Sequence, residues 1–191
     1  MIKIEKSTLI FSGGTNKIYG VGIMISPLLS RIIVSWRAIS DRLLLVRLKH
    51  KHGHLSIISV YAPTEMSTSE DKDKFYSDLS DVILHVSSHD KLIVAGDFNA
   101  TSGSDRTDLE NIIGPFGSGN RNDNSLRLIS LCTTTNLSVM GSWFQRRNIH
   151  RWTWISPDKH TKKEMDHFLV RDRKDVTKLR VMRGIAPPIT Y

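Results

Sequence analysis

The run Leu92-Ile93-Val94-Ala95-Gly96-Asp97-Phe98-Asn99-Ala100 constrains the fold of this chain more than any other. Four apolar residues of strand character meet a glycine, which reads as a buried strand closed by a tight turn. If the backbone stays extended past the turn, Asp97 and Asn99 point to one side and Phe98 to the other. A carboxylate and a carboxamide then stand together at the carboxyl end of a strand. A hard cation or a phosphate ester suits such a pair.

Strand signals dominate the residues before this run. Ser7–Phe11, closed by Ser12-Gly13-Gly14, Val21–Ser26, stopped by Pro27, and Ile32–Ala38 are β-rich. Arg42–Lys49 and His54–Tyr61 flank a hairpin turn at His50-Lys51-His52-Gly53. A helix follows, capped by Thr68 or Ser69, with Glu70, Asp71 and Asp73 in its first turn. Its apolar face is Phe75, Leu79, Val82, Ile83 and Val86. Beyond the central strand Lys91–Gly96, Thr101–Asn124 is rich in Gly, Ser, Asp and Asn and reads as loop, with one helical turn near Leu109. Leu126, Ile129, Leu131 and Cys132 predict a second helix ending near Thr134. Short strands are predicted at Leu137–Met140, Arg151–Ile155, Met165–Val170 and Leu179–Met182, with Trp36, Trp143, Trp152 and Trp154 in the core or on sheet faces. The pattern is α/β (α+β): mixed or antiparallel sheets flanked by helices.

A chain of 191 residues suits one domain, spanning 1–191. No apolar run reaches membrane-spanning length, and the first six residues lack the apolar core of a signal peptide. The lone Cys132 forms no internal disulfide, which suits a reducing, intracellular setting or simply a fold that needs no staple. The net charge is +8, and cations concentrate from Arg146 onward. Such a surface fits a polyanion, most simply nucleic acid.

Two further strand ends carry polar groups beside a breaker or loop. Ser59-Val60-Tyr61-Ala62-Pro63-Thr64 ends in a tyrosine, and Met165-Asp166-His167-Phe168-Leu169-Val170 has an acid near its start. With Asp97 and Asn99, these groups could converge on one site. The Tyr-Ala-Pro, Gly-Asp-Phe-Asn-Ala and Asp-His-Phe-Leu segments, in this order, resemble the endonuclease/exonuclease/phosphatase superfamily, the DNase I-like nucleases among them. Gly20-Val21-Gly22, Ile39-Ser40-Asp41-Arg42, Asn122-Asp123-Asn124 and Thr153-Trp154 before Ser156-Pro157-Asp158 are similar to endonuclease domains of non-LTR retrotransposons. Craniofacial development protein 2-like sequences share them. The likeness runs from about Ser7 to Gly184.

The resemblance implies a four-layer sandwich, with two mostly antiparallel sheets packed face to face and helices outside. It implies Mg²⁺-dependent phosphodiester cleavage, DNA as the partner and no membrane, with a nuclear location compatible. By matching motif, Asp97 would orient or deprotonate the attacking water, and Asn99 would hold the phosphate or the metal shell. Tyr61 would hydrogen-bond the phosphate, and Asp166 would orient a histidine. The family's metal-binding glutamate, on a strand upstream of the Ser7–Gly14 segment, has no counterpart: Glu5 precedes the wrong segment. Its terminal Ser-Asp-His motif is also missing, and the chain ends Arg183-Gly184-Ile185-Ala186-Pro187-Pro188-Ile189-Thr190-Tyr191, which suits an unpaired tail. The expectation is a sandwich lacking its first and last strands, truncated at both ends, with little or no hydrolysis. The alternative is a non-catalytic module that binds nucleic acid or a partner.

Overall fold

The computed structural model describes residues 1–4, 6–13 and 19–181. In chain order the elements are β1 (Ile2–Ile4), β2 (Ser7–Gly13), β3 (Gly20–Ile25), α1 (Pro27–Ser30), β4 (Ile33–Ser40), β5 (Leu43–His50), β6 (Gly53–Tyr61) and α2 (Ser69–His85). There follow β7 (Lys91–Asp97), α3 (Asp123–Thr135), β8 (Ser138–Val139), β9 (Trp154–Ile155), β10 (Lys162–Lys163) and β11 (Asp166–Val170).

A six-stranded sheet runs β4-β5-β6-β7-β11-β8, and a three-stranded sheet runs β1-β2-β3. Neighbours pair antiparallel except β6 and β7, which are parallel and joined by α2, as a parallel pair requires a crossover. The smaller sheet packs on β4, β5 and β6. Ile10, Val21 and Ile25 meet Leu44, Val46 and Leu48 between the sheets. On the other face of the large sheet, α2 and α3 bury Phe75, Leu79, Ile83, Leu128 and Leu131 against Ile58, Val60, Leu92 and Val94. On the inner face Phe168, opposite Ala95, is 42% exposed, because the smaller sheet stops short of β11.

Local signals explain the helices. The Thr68 hydroxyl accepts the Asp71 N–H at 3.2 Å, and the five apolar residues predicted for the face of α2 are all buried. The second helix starts three residues before the predicted Leu126. Asn122 accepts the Ser125 N–H, and Ser125 returns a bond to the Asn122 N–H, closing a capping box. It ends at Asn136 in the left-handed region (φ 53°). Asn136→Gly removes the residual Cβ strain there and is expected to raise stability by about 0.5 kcal/mol, read as a small rise in thermal midpoint.

The turn entering β7 is fixed by a buried carboxylate. Asp90 accepts bonds from Arg47 Nε and Nη2 at 2.7 and 2.9 Å and from the Ser56 hydroxyl at 2.8 Å. The Arg47 bond holds its carboxyl below the usual range. Cys132 is buried, and burial pushes its thiol up to about 12. Among the described residues, no helix is long and apolar enough to cross a membrane.

Some expectations need correction. β1 and β10 carried no sequence signal. The predicted strand Arg151–Ile155 shortens to Trp154–Ile155, because the Thr153 hydroxyl accepts the N–H groups of Met165 and Asp166 and turns the chain there. The helical turn expected near Leu109 is present, with the Ile113 N–H donating to the Leu109 carbonyl at 2.8 Å, and no longer helix follows. Residues 179–181 are irregular. Trp36 and Trp154, 42% and 41% exposed, lie on strands β4 and β9, which is the sheet-face alternative and not the core. Glu5, Gly14, Met182 and the tail 183–191 lie outside the described residues.

Candidate active site at three strand ends

Register brings the predicted residues together. Tyr61 stands opposite Asp97 across β6 and β7, and Asp97 stands opposite Asp166 across β7 and β11. In-register neighbours project from one face, so phenol and carboxylates form a row across adjacent strands. That face is the one turned toward the smaller sheet, since Tyr61 packs against the core between the sheets. The ladder continues past the row, with the Ala62 N–H donating to the Asp97 carbonyl and the Phe98 N–H to the Met165 carbonyl.

Gly96 makes this approach possible. Its φ is +149°, and a Cβ there would lie 2.0 Å from the Val60 carbonyl oxygen. Beyond it the backbone does not stay extended, contrary to expectation. Asn99 turns left-handed (φ 47°), and its N–H donates to Asp97 Oδ1 at 2.8 Å. An Asx turn thus replaces the same-side pair. The Asn99 amide nitrogen donates to the Ala62 carbonyl at 2.9 Å, which leaves its oxygen without a protein donor among the described residues.

A layer of amides fixes these loops. Asn122 Nδ2 donates to Glu65 Oε2 and to the Asn99 carbonyl, each at 2.8 Å. Asn124, fully buried, donates to the Pro63 carbonyl at 2.9 Å, and its side-chain oxygen is buried without a partner among the described residues. Tyr61 is held from the other side. Arg42 donates to the Tyr61 carbonyl at 3.1 Å, and its guanidinium lies 3.8 Å from the Tyr19 ring centre and 5.2 Å from that of Tyr61. Glu65 and this Tyr19–Arg42 clamp escaped sequence reasoning. The available signal for the clamp was the Ser40-Asp41-Arg42 motif.

Half-burial pushes the Asp97 carboxyl up to about 6; the Asn99 N–H opposes the rise and the charge of Asp166 adds to it. Asp166 is exposed, and its carboxylate has no hydrogen bond among the described residues. His167 is no partner for it. It faces the helix side, 1% exposed, with Nε2 at 2.8 Å from the Ala100 carbonyl and its ring 6.1 Å from that of Phe98. Burial keeps it neutral by lowering its pKa.

Among the described residues, no group of three or more His, Cys, Asp or Glu is placed to hold a metal. The row offers a sparser set: two carboxylates that repel one another and the free amide oxygen of Asn99. That suits a cation that keeps most of its waters. A cavity of about 500 Å³ is lined by Thr101, Asn122, Arg121, Arg151, Lys162 and Lys163, and Asn122 ties its wall to the Asn99 carbonyl. Lys162 sits 4.6 Å from the centre of the Trp152 ring. Glu164, also in its wall, is spent on Arg146.

A profile of the Endonuclease/Exonuclease/phosphatase family matches residues 5–186. Craniofacial development protein 2 of Bos taurus is 31% identical over 154 residues, and that of Tragulus javanicus 30% identical over 154. Each alignment covers 81% of this chain and 26% of the relative, so the chain spans about a quarter of their length. The endonuclease domain of TRAS1, a telomere-specific non-LTR retrotransposon, superposes with a TM-score of 0.63 at 12% identity, covering 87% of this chain and 65% of that one. The 3′ phosphatase NExo from Neisseria, bound to a product DNA hairpin, gives 0.60 at 13%, covering 86% and 66%. At these identities the likeness is one of fold, a DNase I-like sandwich.

Proposed function

The chain belongs to the endonuclease/exonuclease/phosphatase family, and from that premise we propose that it is a retroelement-derived, endonuclease-like domain acting on DNA. Its family reaction is Mg²⁺-dependent phosphodiester hydrolysis, and the 191 residues by themselves perform it slowly or not at all. The observation that carries this reading is the row Tyr61–Asp97–Asp166 on three adjacent strands.

Each residue has a role its surroundings support. Above about pH 6, Asp97 is ionised and can accept a proton from a water on the open face. Tyr61, steadied by Arg42, can donate its hydroxyl to a phosphate oxygen. Asp97 and the Asn99 amide oxygen would hold Mg²⁺, with Asp166 alongside, and the cation would supply positive charge to the phosphate oxygens. The basic cavity would hold the DNA backbone. Weak hydrolysis follows from what the row lacks among the described residues: a third acid and a histidine facing Asp166.

Plasmid nicking in Mg²⁺, with an EDTA control, tests this. Slow conversion of supercoiled plasmid at best, abolished by EDTA, is expected. Vigorous conversion would overturn the weak-activity reading, and EDTA-resistant conversion would overturn the cation. A protein that binds DNA at low salt yet never nicks it supports the second reading, a non-catalytic nucleic-acid module, which the basic cavity favours. Failure to bind DNA at low salt removes both.

A further inference from the structure

A second basic pocket is tied to the first by the Arg146–Glu164 ion pair. Residues 144–147 and His150 form one side and residues 178–181 the other, around about 640 Å³. The return segment is anchored to its neighbours: the Arg173 guanidinium sits 4.0 Å from the centre of the Trp143 ring and donates to the Asn111 carbonyl at 3.0 Å.

Several cations of this chain are committed. Arg47, Lys72, Lys91 and Arg127 each face a carboxylate. Around the second pocket the opposite holds. The side chains of Arg147, His150, Lys178 and Arg180 have no hydrogen bond or ion pair among the described residues, and no carboxylate lines the space. Four cation-capable groups brought together without a counter-charge repel one another, and an anion would relieve them. The walls are also apolar: Phe144, Leu179 and Val181 line the same space. An aromatic and aliphatic surface ringed by unpaired cations matches a base with its phosphates.

Arg146 joins the two cavities. Its side chain, 6% exposed, lines the second pocket, while its Nη2 pairs with Glu164 in the wall of the first. Its Nε is buried without a partner among the described residues.

We propose that this pocket is a second nucleic-acid site, taking an unstacked nucleotide unit of a single strand. It rests on the proposed DNA reading only for the identity of the strand; the pocket itself lies apart from Asp97. The test is fluorescence anisotropy of the 191-residue chain with a labelled twelve-residue oligothymidylate, a labelled duplex of the same length, and ATP as free nucleotide, between low and moderate salt. Arg147→Ala/Arg180→Ala is expected to weaken oligothymidylate binding roughly tenfold and to reduce its salt slope by about 1.4, two single-strand phosphate contacts. Duplex binding should change less, and Lys162→Ala/Lys163→Ala should weaken it more. Both pairs are exposed or outside the core, and an unchanged melting temperature verifies folding.

Oligothymidylate binding that survives in the Arg147/Arg180 variant but falls in the Lys162/Lys163 variant overturns the second site and leaves the first intact. ATP bound through Arg147 and Arg180, with no oligothymidylate bound, overturns the strand as ligand. Single-strand binding lost in the Arg147/Arg180 variant supports the pocket even where plasmid nicking is absent.

Discussion

Gly96→Ala is expected to cost about 4 kcal/mol and to lower the melting temperature by about 10 °C or prevent folding. Two penalties coincide at this position. The backbone angle, φ +149°, is one that residues with a Cβ rarely adopt, and the added methyl carbon would sit 2.0 Å from the Val60 carbonyl oxygen. The obstacle is backbone, so no side-chain rotation relieves it. Separation of β6 from β7 would relieve it, but the Tyr61–Asp97 register ends that very pair. Gly22→Ala is the matched control, for its Cβ would find the Ile10 carbonyl oxygen at 3.4 Å. Circular dichroism melts of the two variants decide the matter: similar midpoints would refute the close approach at Gly96.

Asp97→Asn should make the protein more stable and less capable. The native carboxyl titrates near 6, above its ordinary 3.8, because half-burial disfavours its charge. The folded state therefore binds the proton more tightly than the unfolded state. Wild-type stability rises as pH falls from about 6 toward 4, and the full penalty applies above 6. That gap sets a ceiling of about 3 kcal/mol. Asp97 keeps part of its surface in water, so about 1–2 kcal/mol is expected. At pH 7.5 the variant should melt about 4 °C above wild type. At pH 3 or below the difference should nearly vanish, since both side chains are then neutral in the folded and the unfolded chain. Asparagine keeps an oxygen for the Asn99 N–H, so the turn survives. Whatever hydrolysis the wild type shows should fall by roughly 100-fold or more, because an amide accepts no proton. A variant no more stable than wild type at pH 7.5 would show that Asp97 is not strained by its charge.

What could be read from the chain was local. Thr68 and the spaced apolar residues of α2 announce that helix, and the apolar runs of β2 to β7 announce strands, because cap and periodicity are written in adjacent residues. Tyr61, Asp97 and Asp166 could be marked as polar groups at strand ends. Their alignment could not, since register is settled by hydrogen bonds between segments far apart in the chain. The same holds for Asn122, whose reach to Glu65 and Asn99 exists only once α3 has docked. Asn99 misled because extension past Gly96 was assumed, and a short bond to the Asp97 carboxylate outweighs it. β9 and β10, two residues each, are too short to show any period.

The parallel pairing of β6 with β7 has a consequence for how the molecule assembles. Tyr61 and Asp97 meet only after α2 has crossed the sheet, and Asp166 joins when β11 closes on β7. Non-local closures of this kind are late and slow, because loop entropy is lost before contacts compensate. No nascent chain that ends before β11 can present the acidic row. The row is thus a mark of completed folding.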